Sequence, residues 1–300
     1  MRTIVYYLSL PVLYVVSWLP FWLLYGLSNV LYLVIFKLLG YRKQVVLINL
    51  QNAFPDKSAV EIEDIRRGFY RYFCDLSLET IKLLSISQAS LLSRVSADNI
   101  ALLEKYQQER QSVILVLGHM GNWEFGGAYL SLQNIPKLYA IYHPLANPGF
   151  DQLMIKMRTR FGAGVYPMRR ALRGMLKNKL KTTATAFIAD QTPGRKNAHW
   201  MTFMNQETAV FKGPEIIATK LDYPLIYVSV QRQSRGHYNL SCELLAEHPR
   251  LLAENELTEM HTRRLEQDII DQPETWLWTH RRWKRRPQKQ PLNSEQINPK

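Results

Sequence analysis

Val113-Ile114-Leu115-Val116-Leu117-Gly118-His119-Met120-Gly121-Asn122-Trp123-Glu124 is the stretch on which the reading of this chain turns. Its first five residues are apolar without alternation, the pattern of a strand covered on both faces, as in a parallel sheet flanked by helices. The strand delivers a histidine at its end, and a carboxylate follows five positions later. Gly118 and Gly121 keep the backbone around His119 uncluttered, so a second group can approach closely. A carboxylate that orients an imidazole makes it a general base, and a substrate hydroxyl or amine then serves as nucleophile. His119 and Glu124 are therefore the candidate catalytic pair, in a pattern that suits acyl transfer. The same residues at a strand end also serve structural roles, and His-x4-Glu arises by chance; the Gly-His and Gly-Asn-Trp-Glu surroundings favour chemistry.

Working outward, residues 59–85 read as a helix, with Ile62, Ile65, Phe69, Phe73 and Leu76 at helical spacing, and 97–109 as another. After the 113–117 strand, 123–132 is expected to be a helix starting close to His119. Strands are expected at 138–142, 185–189, 225–230 and 238–244, and helices at 147–160, 171–180 and 256–270. This alternation predicts an α/β fold, a mostly parallel sheet flanked by helices, in which sites gather at the C-terminal ends of strands. His119 and Asp190 both occupy such ends. Residues 287–300 read as a disordered tail.

No charged residue occurs from Thr3 to Phe36, a span of 34. As one helix it would run roughly 51 Å, longer than the ~30 Å hydrocarbon core of a bilayer. Pro11 and Pro20 are natural places for a kink or break. Trp18, Trp22, Tyr25 and Tyr32 are aromatics favoured near headgroups, and Lys37, Arg42 and Lys43 follow the span, which places the body on the cytoplasmic side. The span is too long for a cleaved signal and lacks a cleavage site. It predicts a retained N-terminal transmembrane or membrane-embedded helix over 1–38, with the functional domain over 39–286.

The body, with 47% hydrophobic residues in a chain of 300, has ample material for a core. Lys and Arg outnumber Asp and Glu by 38 to 25, a net charge of +13. That excess suits an anionic membrane surface or an acidic or phosphorylated substrate. Nucleic acid is disfavoured, because no nucleic-acid-binding motif accompanies the basic residues. Cys74 and Cys242 are far apart and read as packed thiols; neither metal nor cofactor is implied. Five arginines, Arg158, Arg160, Arg169, Arg170 and Arg173, fall within sixteen positions, and guanidinium suits bidentate phosphate binding. Arg158 and Arg169 are the candidates for substrate contact; any one of them also fits a solvated role. Asp190 is a candidate for orienting an arginine or the acceptor, and equally for shaping a turn.

The blocks Gly118-His119, Asn122-Trp123-Glu124, Arg158 to Gly162, Ala189-Asp190-Gln191, Gly213-Pro214 and Trp276-Leu277-Trp278-Thr279-His280-Arg281-Arg282-Trp283-Lys284 carry a resemblance across nearly the whole chain. It resembles the late acyltransferases of bacterial lipid A biosynthesis, within the glycerolipid acyltransferase group that shares a His-x4-Asp/Glu motif. The resemblance implies a glycerolipid acyltransferase-like fold in the bacterial inner membrane. It implies a donor thioester on acyl carrier protein or coenzyme A, and a phosphorylated glycolipid acceptor. His119 would be the general base and Glu124 its orienting carboxylate. Asn122 and Gly121 would offer N–H groups to an oxyanion, and Asn122, Arg158, Arg169 and Asp190 would contact substrate. One departure stands out: where the family carries Phe-Phe-Gly-x-Pro-Ala, this chain has Phe203-Met204-Asn205-Gln206-Glu207-Thr208. The acceptor is therefore open between a lipid A precursor and a lysophospholipid or aminolipid. A non-catalytic basic membrane-associated binding protein is the reading from another class.

Overall fold

The 113–117 run lies in the middle of a seven-stranded sheet, and the computed structural model explains why it does not alternate. The structure describes residues 2–194 and 198–285; the tail expected over 287–300 lies outside the described residues. The chain opens with helices α1 (Arg2–Trp18), α2 (Phe21–Tyr32), α3 (Lys43–Ala53), α4 (Ala59–Lys82) and the short α5 (Gln88–Leu92). Then follow β1 (Val95–Asp98), α6 (Ala101–Gln108), β2 (Val113–Leu117), α7 (Trp123–Leu130), β3 (Lys137–Tyr142), α8 (Pro148–Thr159), β4 (Gly164–Pro167), α9 (Ala171–Lys177) and β5 (Thr183–Ile188). The last part holds β6 (Ala198–Phe203), β7 (Gln206–Phe211), α10 (Gly213–Leu221), β8 (Leu225–Ser234), β9 (His237–Ala246) and α11 (Glu256–Asp271).

The sheet order is β1-β9-β8-β2-β5-β3-β4, with β6 and β7 forming a separate hairpin. All neighbours in the large sheet run parallel except β8 and β9. The α/β class and its mostly parallel sheet are thus as the alternation of elements predicts. Side chains along β2 divide between two cores. Ile114 and Val116 pack with α3, α4, α10, α11 and the C-terminal tryptophans, whereas Val113 and Leu115 pack with α6, α7 and α8. A strand with both faces covered needs apolar residues at every position.

Several expectations require correction. Residues 97–109 are not one helix: Val95–Asp98 pairs in parallel with Tyr238–Ser241 at the sheet edge, and α6 starts only at Ala101. A four-residue edge strand is too short to show a period, and pairing with β9 recruits it. The strand β4, the β6–β7 hairpin and α10 were not foreseen. The hairpin turns on Met204 and Asn205, both left-handed, at φ 51° and 59°; two such residues match the twist of the flanking strands. The turn is seated firmly, with the Met204 amide donating to Glu266 Oε1 and Asn205 Nδ2 donating to the Ala53 carbonyl. The Phe203–Thr208 stretch that departs from the family pattern is this turn.

The uncharged N-terminal span is two helices. Pro11 lies inside α1, and the break comes at Leu19-Pro20. There the body captures the free carbonyls that end α1: Lys82 Nζ donates to Ser17 and Leu19, each at 2.7 Å, and the Ser85 hydroxyl also donates to Ser17. Helix α2 continues through a wide π turn, and Phe21–Leu38 is long and apolar enough to cross a membrane by length and composition. Trp18, Trp22, Leu38 and Leu39 are exposed on it and beside it. The other face of α2 belongs to the body. Leu24 and Ser28 are buried, and Phe36 sits in the same core as Tyr70.

Candidate active site

Two adjacent strands build the site. β2 and β5 pair in parallel with Leu117 opposite Ile188, and the Ala189 amide donates to the Leu117 carbonyl at 3.0 Å. His119 and Asp190 each lie two residues beyond that pair, so the register alone brings them together. His119 Nδ1 lies 2.6 Å from Asp190 Oδ1, and the His119 amide donates to Asp190 Oδ2 at 2.8 Å. The Trp276 indole N–H donates to the same Oδ2 at 2.8 Å. Burial works against the charge on Asp190, yet the His119 ring and amide, with the Trp276 indole, bring its carboxyl down to about 2. An ionised Asp190 bonded to Nδ1 fixes the tautomer in which Nδ1 carries the proton and Nε2 has a lone pair. The His119 side chain is 19% exposed, enough for Nε2 to meet a substrate.

The loop around His119 is clamped. The Leu277 amide donates to the His119 carbonyl and the Gly121 amide to the Thr275 carbonyl, so residues 119–121 pair with the chain at 275–277. Gly121 has φ 53°, and a Cβ there would lie 2.2 Å from the Val230 carbonyl oxygen. No other residue fits that position without moving β8.

A narrow apolar cavity of about 80 Å³ lies on the α7 face of the sheet next to the histidine. Leu115, Leu117, Ala186 and Ile188 form its floor, α7 its roof, and Trp123, Glu124 and Arg158 its polar end. The His119 and Trp123 rings meet edge to face, 4.9 Å apart. Arg158 grips Glu124 with Nε at 3.0–3.1 Å and Nη2 at 2.5 Å. Burial alone would favour a neutral Arg158, but Glu124 beside it raises the guanidinium above its usual value. Gly126 and Gly127 leave the roof bare, and a Cβ on Gly127 would touch nothing within 4 Å.

The sequence model of the family described as bacterial lipid A biosynthesis acyltransferase matches residues 1–285. The chain belongs to that family. It is an acyltransferase, and the N-terminal helices, the sheet and the Trp276–Lys284 block all fall inside the match. Among its relatives, the lipid A biosynthesis palmitoleoyltransferase of Escherichia coli K12 is 24% identical over 82% of this chain and 80% of its own length. The lauroyltransferase of the same organism is 23% identical over 94% and 92%. A lipid A biosynthesis acyltransferase of Haemophilus influenzae is 24% identical over 80% and 76%.

Within this lipid A acyltransferase fold, the expected site residues separate. The imidazole of His119 is oriented by Asp190, not by Glu124, because the strand register places Asp190 at Nδ1 while Glu124, on the first turn of α7, is taken by Arg158. Asn122 is fully buried and caps α7: its Oδ1 accepts from the Phe125 amide at 2.8 Å, and its Nδ2 donates to Glu79 at 2.7 Å. It therefore has no side-chain atom free for a substrate, and the Gly121 amide is likewise taken by Thr275. Arg160 donates to the Leu83 and Ile86 carbonyls. Arg169 is exposed just past β4, on the same sheet edge as His119 but three strands away, roughly 14 Å at ~4.8 Å per strand. Trp276, part of the C-terminal motif block, reaches Asp190. Cys74 and Cys242 are buried and free, and burial pushes both thiols up to about 12.

Proposed function

We propose that this enzyme moves a fatty acyl chain from an acyl-carrier-protein thioester to a hydroxyl of a lipid A precursor, with His119 as general base. The observation that carries the reading is the 2.6 Å His119–Asp190 pair beside the apolar slot. The acceptor O–H approaches His119 Nε2, its oxygen attacks the thioester carbon, and the proton passes to the imidazole. Asp190 balances the imidazolium that forms. The tetrahedral intermediate collapses with loss of the thiolate, which takes up that proton, so an ester and a free thiol result. Arg158, held in place by Glu124, supplies positive charge for the developing oxyanion. The slot takes the carbons next to the thioester; at about 80 Å³ it is short of a whole fatty chain.

The exposed aromatic and apolar residues of α1 and α2 support residence in the bacterial inner membrane, and Lys37, Arg42 and Lys43 support a body on the cytoplasmic side. Coenzyme A in place of the carrier protein, or a lysophospholipid or aminolipid as acceptor, leaves the chemistry unchanged. The unusual Phe203–Thr208 turn is the observation on the side of another acceptor. The test is transfer from a radiolabelled carrier-protein thioester to a panel of these lipids by detergent-purified protein. Transfer to the lipid A precursor, lost about 10²–10⁴-fold in His119→Ala with the fold intact, is expected. Equal activity in that variant rejects the assignment.

A further inference from the structure

Behind the α7 face, a buried polar cluster joins the N-terminal helices to the loop that carries His119. Glu79, on α4, is completely buried and accepts three hydrogen bonds. Tyr25 Oη of α2 donates to its Oε1 at 2.9 Å; Tyr238 Oη of β9 and Asn122 Nδ2 donate to its Oε2, each at 2.7 Å. One turn earlier on α4, Asp75 accepts from Ser28 Oγ of α2 at 2.6 Å and pairs with Arg232 and Arg235. Arg235 also reaches the Tyr25 carbonyl and Asn29. Tyr72, again from α4, donates to the Gly121 carbonyl at 2.6 Å.

Asn122 is the joint in this arrangement. Its two ends have opposite polarity, and only one orientation satisfies both neighbours. The carboxylate of Glu79 requires the amide N–H, which leaves Oδ1 to cap the Phe125 amide and start α7. With α7 started there, Trp123 stands against His119 and Glu124 faces Arg158. Were position 79 to offer a donor instead, Asn122 would turn over and the cap would be lost.

We propose that Glu79 is a positioning residue for acyl transfer, acting through Asn122, and that α2 takes part through Tyr25. The N-terminal helices then do more than tether the enzyme: they complete the buried setting that holds the catalytic loop. This rests on the reading of His119 as the base.

The test uses full-length enzyme in detergent micelles, a C12 acyl-carrier-protein thioester as donor, and thiol release per folded molecule as readout. Glu79→Leu, which leaves Asn122 Nδ2 without an acceptor, is expected to lower kcat 10- to 100-fold, whereas Glu79→Gln, whose amide oxygen still accepts from Asn122, is expected to stay within about fivefold of wild type. Asn122→Asp, which sets two carboxylates face to face, is expected to fall at least as far as Glu79→Leu. The double variant, Glu79→Gln with Asn122→Asp, moves the charge without removing it: the amide introduced on α4 donates to the carboxylate introduced at the cap, whose second oxygen still accepts from the Phe125 amide. It is expected to recover kcat to within about fivefold of wild type. Tyr25→Phe is expected to lower kcat three- to tenfold. Wild-type kcat in folded Glu79→Leu, a Glu79→Gln variant as impaired as Glu79→Leu, or a double variant no better than Asn122→Asp overturns the proposal. Should Glu79→Leu fail to fold, Tyr25→Phe decides, and wild-type kcat there overturns the proposal equally. Wild-type enzyme and His119→Ala run alongside: if wild type is inert or His119→Ala is active, the site reading itself has failed.

Discussion

The two faces of the sheet at β2 are built from the same strand and behave oppositely. On one, Ile114 and Val116 share a buried core with Tyr227, Leu265, Trp276 and Trp278, where the Tyr227 hydroxyl is tied to Asp268. On the other, Leu115 and Leu117 look into a slot that exists because α7 presents Gly126 and Gly127 where larger side chains would close it. The packed face holds Asp190 still, and the open face leaves room for a chain. His119 sits at the boundary, braced from one side by Asp190 and accessible from the other. Close packing makes the first face intolerant of change, whereas bare backbone makes the second adjustable.

The sharpest way to break this contrast is at the brace. Asp190→Asn keeps the shape but replaces an acceptor-only carboxylate with an amide, freeing Nδ1 to lose the proton and Nε2 to gain it. A fall in kcat of about 10²-fold or more is expected, read in single-turnover acyl transfer. An activity near wild type would return the orienting role to another residue.

The packed face also predicts an acid sensitivity. Burial pushes His261 of α11 down to about 4, so it is neutral in the folded protein and its unfolded form takes a proton first. The folded pKa is lowered, so stability falls as pH drops from about 6.5 towards 4, and the penalty is complete below that. Between pH ~6.5 and ~5 the loss is roughly 2 kcal/mol at ~1.36 kcal/mol per unit. His261→Leu is expected to flatten that limb in thermal midpoints measured across the range. An unchanged slope would show that the acid limb comes from elsewhere.

The adjustable face should respond most gently. Gly127→Val adds a side chain where a Cβ meets open space, at a cost in helix propensity that is small or favourable. About a tenfold shift in preference towards shorter acyl donors is expected, with little loss on the shortest, measured in a competition among thioesters of graded length. An unaltered preference would place the acyl chain outside this slot.

Much of this molecule was legible along the chain. The non-alternating 113–117 run announced a two-sided strand, the element order announced a parallel sheet, and both His119 and Asp190 were recognisable as strand-end residues. What misled was proximity in sequence. Glu124 lies five residues from His119, but helix α7 carries it to Arg158, a partner 34 positions further on. Asn122 looked accessible because it sits beside the histidine loop, although Glu79 and the Phe125 amide occupy both its polar ends. The tryptophans near the C-terminus gave no sign that one of them reaches Asp190, because a hydrogen bond across 86 positions leaves no local pattern.

By itself the sequence determined the classes of things: an apolar span at the N-terminus, a two-sided strand with a histidine at its end, and a set of motif blocks that mark the family. These follow from period, composition and local spacing, which neighbouring residues settle among themselves. Tertiary structure alone decided the pairings. The β2–β5 register joined His119 to Asp190, the turn of α7 sent Glu124 to Arg158, and the packing of α2 on α4 tied the N-terminal helices to the loop that carries His119. Each depends on which distant surfaces meet, and that is set by the burial of the whole chain at once rather than by any segment of it.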